Sequence, residues 1–129
     1  MINREAFKSI LLYSIEDYAG LLHLVWSIDS LLFKEDDAHL EIARKILSFY
    51  IKGDYIALFY DKLGDSEFVP KEIPKEKAIE LILDDSSWDT DFTNVYITAS
   101  ATKKGEDLYN SGKIMDESFK LPKVLEDDN

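Results

Sequence analysis

Few residues of this chain could do acid–base or metal chemistry, and their spacing argues against most of it. His23 and His39 are the only histidines. They fall on two different predicted helices, where an imidazole serves packing or solvation far more often than it completes a metal or base–acid pair. There is no cysteine, which removes thiolate catalysis, cysteine-ligated zinc and a disulfide framework. The stretch from Glu80 to Asp91 carries Glu80, Asp84, Asp85, Asp89 and Asp91 with no Lys or Arg among them. Such carboxylates can bind a divalent cation. An EF-hand loop, however, needs a glycine at its sixth position and a closing glutamate, and Ser86-Ser87-Trp88-Asp89 supplies neither. Paired carboxylates for glycoside hydrolysis need a sugar cleft with aromatic platforms, which nothing in the spacing marks. H-E-x-x-H, G-x-S-x-G and P-loop patterns are absent, and Gly64 and Gly105 are isolated rather than part of a phosphate-cradling loop. The expectation is a protein without catalytic residues, metal or cofactor.

Charge is the stronger signal. Fifteen basic and 26 acidic side chains leave a net charge of −11 on 129 residues. Residues 1–64 have a net charge of −3 and residues 65–129 one of −8. Besides the Glu80–Asp91 stretch, acids gather at Glu35-Asp36-Asp37 and Glu126-Asp127-Asp128. Such a field repels nucleic acid and anionic membrane and attracts basic proteins. Acidic surfaces also keep cytosolic proteins soluble, but −11 exceeds what solubility requires. No apolar run approaches the roughly 18 residues of a membrane span, and Met1–Glu5 lacks the pattern of a signal peptide. The expected location is cytoplasmic.

These acids need elements to position them. Phe7, Ile10 and Leu11 recur at helical spacing. Ser14-Ile-Glu-Asp17 reads as a capping box that launches a helix from about Ile15 to Phe33. Ile15, Tyr18, Leu22, Val25 and Trp26 lie on one face; Leu21, Leu24, Ile28, Leu31 and Leu32 lie on the adjoining one. So wide a stripe predicts a central helix with Trp26 in the core. Asp37 caps the next helix, whose Leu40, Ile42, Ala43, Ile46, Leu47 and Tyr50 run to a stop at Gly53. Tyr55–Tyr60 reads as a strand, Lys62–Asp65 as a turn and Phe68-Val69-Pro70 as extended chain. Pro74 suits the first position of a helix with Ala78, Ile79, Leu81 and Ile82 on its apolar face, ending near Asp85. Phe92–Ala99 contains a second strand, and Ser100–Tyr109 a short helix closed by Asn110-Ser111-Gly112. The order predicts one α+β domain over residues 1–121, mostly helical with a small antiparallel sheet and a winged-helix-like arrangement. Residues 122–129 form an acidic, loosely attached tail.

Trp88 has two readings: a core plug for the second strand, or an exposed anchor ringed by carboxylates, the composition of a site for a basic protein partner. The winged-helix arrangement invites a DNA-binding reading, which the helix from Pro74 to Asp85 opposes. It offers Lys75 and Lys77 but also Glu76, Glu80, Asp84 and Asp85, and the chain's two arginines, Arg4 and Arg44, lie elsewhere. Groove reading needs basic or amide side chains against bases and phosphates.

Gly53-Asp54-Tyr55-Ile56-Ala57-Leu58, Phe68-Val69-Pro70 and Glu76-Lys77-Ala78-Ile79 resemble motifs of a bacterial family of small winged-helix-like proteins. Trp88, Val95-Tyr96-Ile97, Thr102-Lys103-Lys104-Gly105 and Tyr109 continue the resemblance, which runs from about Ile51 to Ser111. Its motifs are structural and imply fold alone. In size and charge the chain also resembles immunity proteins of contact-dependent and polymorphic toxin systems. That resemblance implies a stoichiometric inhibitor of a basic toxin domain such as a nuclease; the lack of any Lys or Arg between Glu80 and Asp91 then places the partner contact on Asp84, Asp85, Trp88, Asp89 and Asp91, with Glu80 on its rim. The alternative is a winged-helix-like regulatory or protein-interaction module.

Overall fold

The computed structural model describes residues 4–16, 19–29, 36–62, 67–88 and 95–122. Its elements are α1 (Arg4–Glu16), β1 (Ala19–Gly20), α2 (Leu21–Asp29), α3 (Asp36–Lys52), β2 (Ile56–Asp61), β3 (Lys71–Glu72), α4 (Lys75–Ile82), β4 (Tyr96–Ala101) and α5 (Lys103–Ser111). Short 3₁₀ turns follow α4 at Asp85–Trp88 and α5 at Lys113–Met115. The fold is α+β, mostly helical with a small antiparallel sheet.

The sheet order is β1-β4-β2-β3, with every neighbouring pair antiparallel. β2 and β4 form its centre, in register from Ile56 opposite Ala101 to Asp61 opposite Tyr96. Ile56 and Leu58 alternate inward along β2, as a strand with one covered face requires. Helices α1 and α2 pack on each other and on β4, while α3 and α4 pack on each other and on β2.

α1 buries Ala6, Phe7, Ile10 and Leu11, the i, i+3, i+4 pattern of an amphipathic helix. α3 buries Ile42, Ala43, Ile46, Leu47, Tyr50 and Ile51. The two meet through aromatic rings: Phe7 stands edge-on to Phe49 and Tyr50, with centroids 5.8 Å away in each case. The Tyr50 hydroxyl donates to the Phe7 carbonyl at 2.7 Å, so this buried phenol is satisfied. Burial, and secondarily the nearby Tyr55, push its pKa upward.

Four expectations need correction. The helix predicted from Ile15 to Phe33 is not continuous. α1 runs through Ser14 to Glu16, and Gly20 belongs to β1, paired with Thr98 of β4. Ser14 is therefore no N-cap; it is buried inside α1 and its hydroxyl donates to the Ile10 carbonyl at 3.0 Å. Trp26 is not core. The buried stripe of α2 is Leu21, Leu24, Val25 and Ile28, and Trp26, off that stripe, is 54% exposed. Finally, α3 ends before Gly53, but the residue that turns left-handed is Asp54, at φ 64°. Its carboxylate is held at 2.8 Å by Lys75.

Near Asp54 the chain is tied to the start of α5. Thr102, the N-cap of α5, donates to the Asp54 carbonyl at 2.6 Å and accepts from the Gly105 amide at 3.1 Å. Lys104 donates to the Gly53 carbonyl at 2.8 Å and lies 4.6 Å from the centre of the Tyr55 ring. A cation at the C-terminus of α3 also complements the helix dipole. α5 ends at Gly112 with φ 73°.

Within residues 113–121, Ile114 and Leu121 are buried and Phe119 is half-buried against the core. Arg4 secures them, donating to the carbonyls of Ile114 at 2.8 Å, Phe119 at 3.0 Å and Glu117 at 3.4 Å. Residues 123–129 of the predicted tail, and residues 63–65 of the predicted Lys62–Asp65 turn, lie outside the described residues.

Candidate partner-binding surface

The acidic corner is built where α4 runs out. Pro74 precedes α4 with φ −55° and its carbonyl accepts from the Ala78 amide at 2.8 Å. Ala78 and Ile82 face the core, leaving Glu76, Lys77 and Glu80 exposed. After Ile82 the chain tightens. Leu83 donates to the Glu80 carbonyl at 3.2 Å, Asp84 to Leu81 at 3.1 Å and Ser87 to Asp84 at 3.0 Å. The Asp84 carboxylate accepts from the Ser86 amide at 3.0 Å and the Ser86 hydroxyl at 2.9 Å. The amide contact first, and the hydroxyl second, hold its pKa below the ordinary carboxylate value. A carboxylate at this place both stops the helix and stays ionised.

Of the six residues the sequence singles out, the structure places Glu80, Asp84 and Asp85 on one exposed corner. Trp88 belongs beneath it. It is 4% exposed, and its indole donates to the Ile82 carbonyl at 3.0 Å; it takes the place of the core plug and not that of an exposed anchor. Asp89 and Asp91 lie outside the described residues.

Two features were missed in the sequence. The first is Leu83, 64% exposed between Glu80 and Asp84. It is the apolar residue that the corner does present, and its place on the shoulder of the Ala78–Ile82 stripe was the available signal. The second is Arg44, on α3. Its Nη2 meets the Asp85 carboxylate at 2.7 Å, its Nη1 meets Glu41 at 2.9 Å, and its Nε donates to the Ile82 carbonyl. The acidic segment contains no cation, but the fold supplies one, so Asp85 is compensated while Glu80 and Asp84 are not met by any described ion pair. Arg44 is only 11% exposed, so it serves as a strut between α3 and α4.

Beside the corner, the outer face of α3 borders a groove of about 360 Å³. Lys45, Phe49 and Lys52 line it, with Leu83 on one wall and Pro122 on another.

The histidines pack. His39 is buried in α3, and half-buried His23 tilts against Trp26 with ring centroids 5.2 Å apart. Among the described residues no group of three or more His, Asp or Glu side chains could hold a metal ion, and no helix is long and apolar enough to cross a membrane. No protein-family model, curated protein or solved structure matches the chain.

Proposed function

We propose that the chain is an immunity protein, a cytoplasmic stoichiometric inhibitor that binds a basic toxin domain, with a nuclease as the favoured target class. The observation that supports this reading is the exposed corner of Glu80, Leu83 and Asp84 on a chain of net charge −11. Carboxylates steer a basic partner from a distance, and an exposed leucine supplies area to bury on arrival. A nuclease groove evolved for phosphates presents the matching positive surface. The inhibitor needs no chemistry of its own, because occupying or overlapping that groove excludes substrate. The exposed face of α4 opposes a groove-reading role in DNA binding: Lys77 lies among Glu76, Glu80 and Asp84, and Lys75 is engaged by Asp54.

The test is co-purification with the product of the neighbouring gene, followed by titration with Glu80→Gln, Leu83→Ala and Asp84→Asn variants. Leu83→Ala should weaken binding by about 1–2 kcal/mol, close to tenfold in Kd. The two carboxylate variants should slow association and flatten its salt dependence. Asp85→Asn should do less, since Arg44 already compensates that charge. Unchanged affinity and salt slope across all four variants would remove this corner from the interface. Tight binding to duplex DNA at about 0.15 M salt would instead favour the regulatory module.

A further inference from the structure

Helices α3 and α4 run antiparallel. They are tied at one end where Lys75 on α4 donates to the Lys52 carbonyl at 3.5 Å, and at the other where Arg44 on α3 donates to the Ile82 carbonyl. Each helix turns a charged ridge outward beside the groove. On α3 the ridge is Lys45, Ser48 and Lys52, at i, i+3 and i+7. Both lysines are exposed, and neither forms an ion pair among the described residues. On α4 the ridge is Glu76, Glu80 and Leu83, at i, i+4 and i+7. All three are exposed, and Leu83 keeps helical backbone geometry at φ −84° and ψ −11°. The two ridges are equal in length, about 10 Å at 1.5 Å per residue, opposite in charge and side by side.

A surface of this kind is complementary to itself. A two-fold axis between the two helices and parallel to them lays α4 of one copy along α3 of the other, and the reverse, without moving any residue up or down the helices. Because Lys75 is level with Lys52 and Ile82 with Arg44, Glu76 then comes opposite Lys52, and Glu80 opposite Lys45. Leu83 enters the groove of about 360 Å³, whose apolar lining is Phe49, Leu83 and Pro122. Glu41, the acid in that lining, is already matched by Arg44. We propose that a second copy of this chain occupies the α3 groove, in a two-fold dimer that sets Glu76 and Glu80 of each copy against Lys52 and Lys45 of the other and buries Leu83 between them. The net charge of −11 on each copy works against association, so the dimer is weak. At about 0.15 M salt, exposed charges farther apart than about 8 Å are largely screened, while pairs in contact keep more of their attraction. The dimer covers Glu80 and Leu83. One consequence rests on reading their corner as a toxin-binding surface: the dimer then stores the inhibitor and must open before it can act.

The test is sedimentation equilibrium of the full chain alone, from micromolar to millimolar concentration at about 0.15 M salt. The mass should rise with concentration from that of one chain toward that of two. Lys45→Glu/Lys52→Glu and Glu76→Lys/Glu80→Lys each set like charges against one another in both halves of the dimer. Each variant should self-associate at least about tenfold more weakly, with an unchanged circular dichroism spectrum. The second variant carries less net charge than the parent, so its loss cannot come from overall repulsion. Mixed in equal amounts, the two variants should dimerise with the parental affinity, because in the mixed pair every lysine again faces a glutamate. Leu83→Asp should stay monomeric throughout. A parent that stays monomeric at millimolar concentration, dimerisation that survives either charge reversal, or a mixture that associates no better than its components would overturn the proposal. No toxin enters this assay, so its failure leaves the proposed function standing, and a failed co-purification leaves the dimer standing.

Discussion

Replacing Arg44 with Met tests whether the acidic corner is held in place by one guanidinium. Methionine keeps an apolar stem of similar reach, so the substitution removes charge and hydrogen bonds more than packing. The bond from Nε to the Ile82 carbonyl is a charged donor at a part-buried acceptor, a class worth about 1.5–3 kcal/mol. The lower end applies, because that carbonyl keeps the Trp88 indole as a second donor. The ion pair to Asp85 adds at most about 1 kcal/mol, since the Asp85 side chain is 86% exposed. The pair with Glu41 on the same helix adds no more than about 0.5 kcal/mol. The expected loss is about 2 kcal/mol, which at an m-value of about 2 kcal/mol/M shifts the urea midpoint by roughly 1 M. A Trp26→Phe background removes the exposed indole and leaves buried Trp88 as the reporter. Arg44→Lys should recover only part of the loss, because an ammonium cannot reach three acceptors in fixed directions. In a double-mutant cycle with Asp85→Asn the coupling should stay under about 1 kcal/mol. An Arg44→Met variant as stable as the parent, or a coupling that accounts for the whole loss, would refute this account.

Gly105→Ala should destabilise by about 3 kcal/mol in the same urea assay, because its Cβ would collide with the Tyr55 carbonyl oxygen, a backbone atom that cannot turn aside. Thr98→Val should stabilise by about 1 kcal/mol: the Thr98 hydroxyl is fully buried and has no hydrogen-bond partner among the described residues. For Asp84, the depressed folded-state pKa means that its stabilising contribution is present above the unfolded value of 3.8 and is lost as pH falls through the lower folded value. An NMR titration of the Asp84 carboxyl should show a midpoint below 3.8, and Ser86→Ala should move it upward.

What could be read in the sequence was what local spacing determines. α3, β2 and α5 emerge near their predicted bounds because periodicity, β-branching and terminal glycines act within a few residues. The predicted Ile15–Phe33 helix failed because Gly20 finds its partner in Thr98, far along the chain, and no local propensity announces that pairing. The strict spacing of Leu21, Leu24, Val25 and Ile28 would have left Trp26 outside; the surrounding leucines widened the stripe and hid it. At the candidate site, the acids were visible by type. Their compensation was not, since Arg44 and Asp85 are 41 residues apart. Trp88, left between core plug and exposed anchor by the sequence, is buried in the turn that packs between α4 and α2, and α2 is a cover that the local sequence around Trp88 does not announce.

The hydrogen bonds of Arg4 have a consequence for the order in which the chain matures. Their acceptors lie 110 to 115 residues downstream. During synthesis α1 therefore emerges long before it is completed: that guanidinium cannot be satisfied in its native way until Phe119 has been made. β4, the strand between β1 and β2, is likewise made after both of its neighbours. Until it arrives, the inner edges of those strands and the part of α1 that packs on β4 stay open, and closure joins distant parts of the chain late and together. A ribosome-stalled fragment ending before β4 should remain sensitive to protease along α1 and β2, whereas the released chain should gain protection at both in one step.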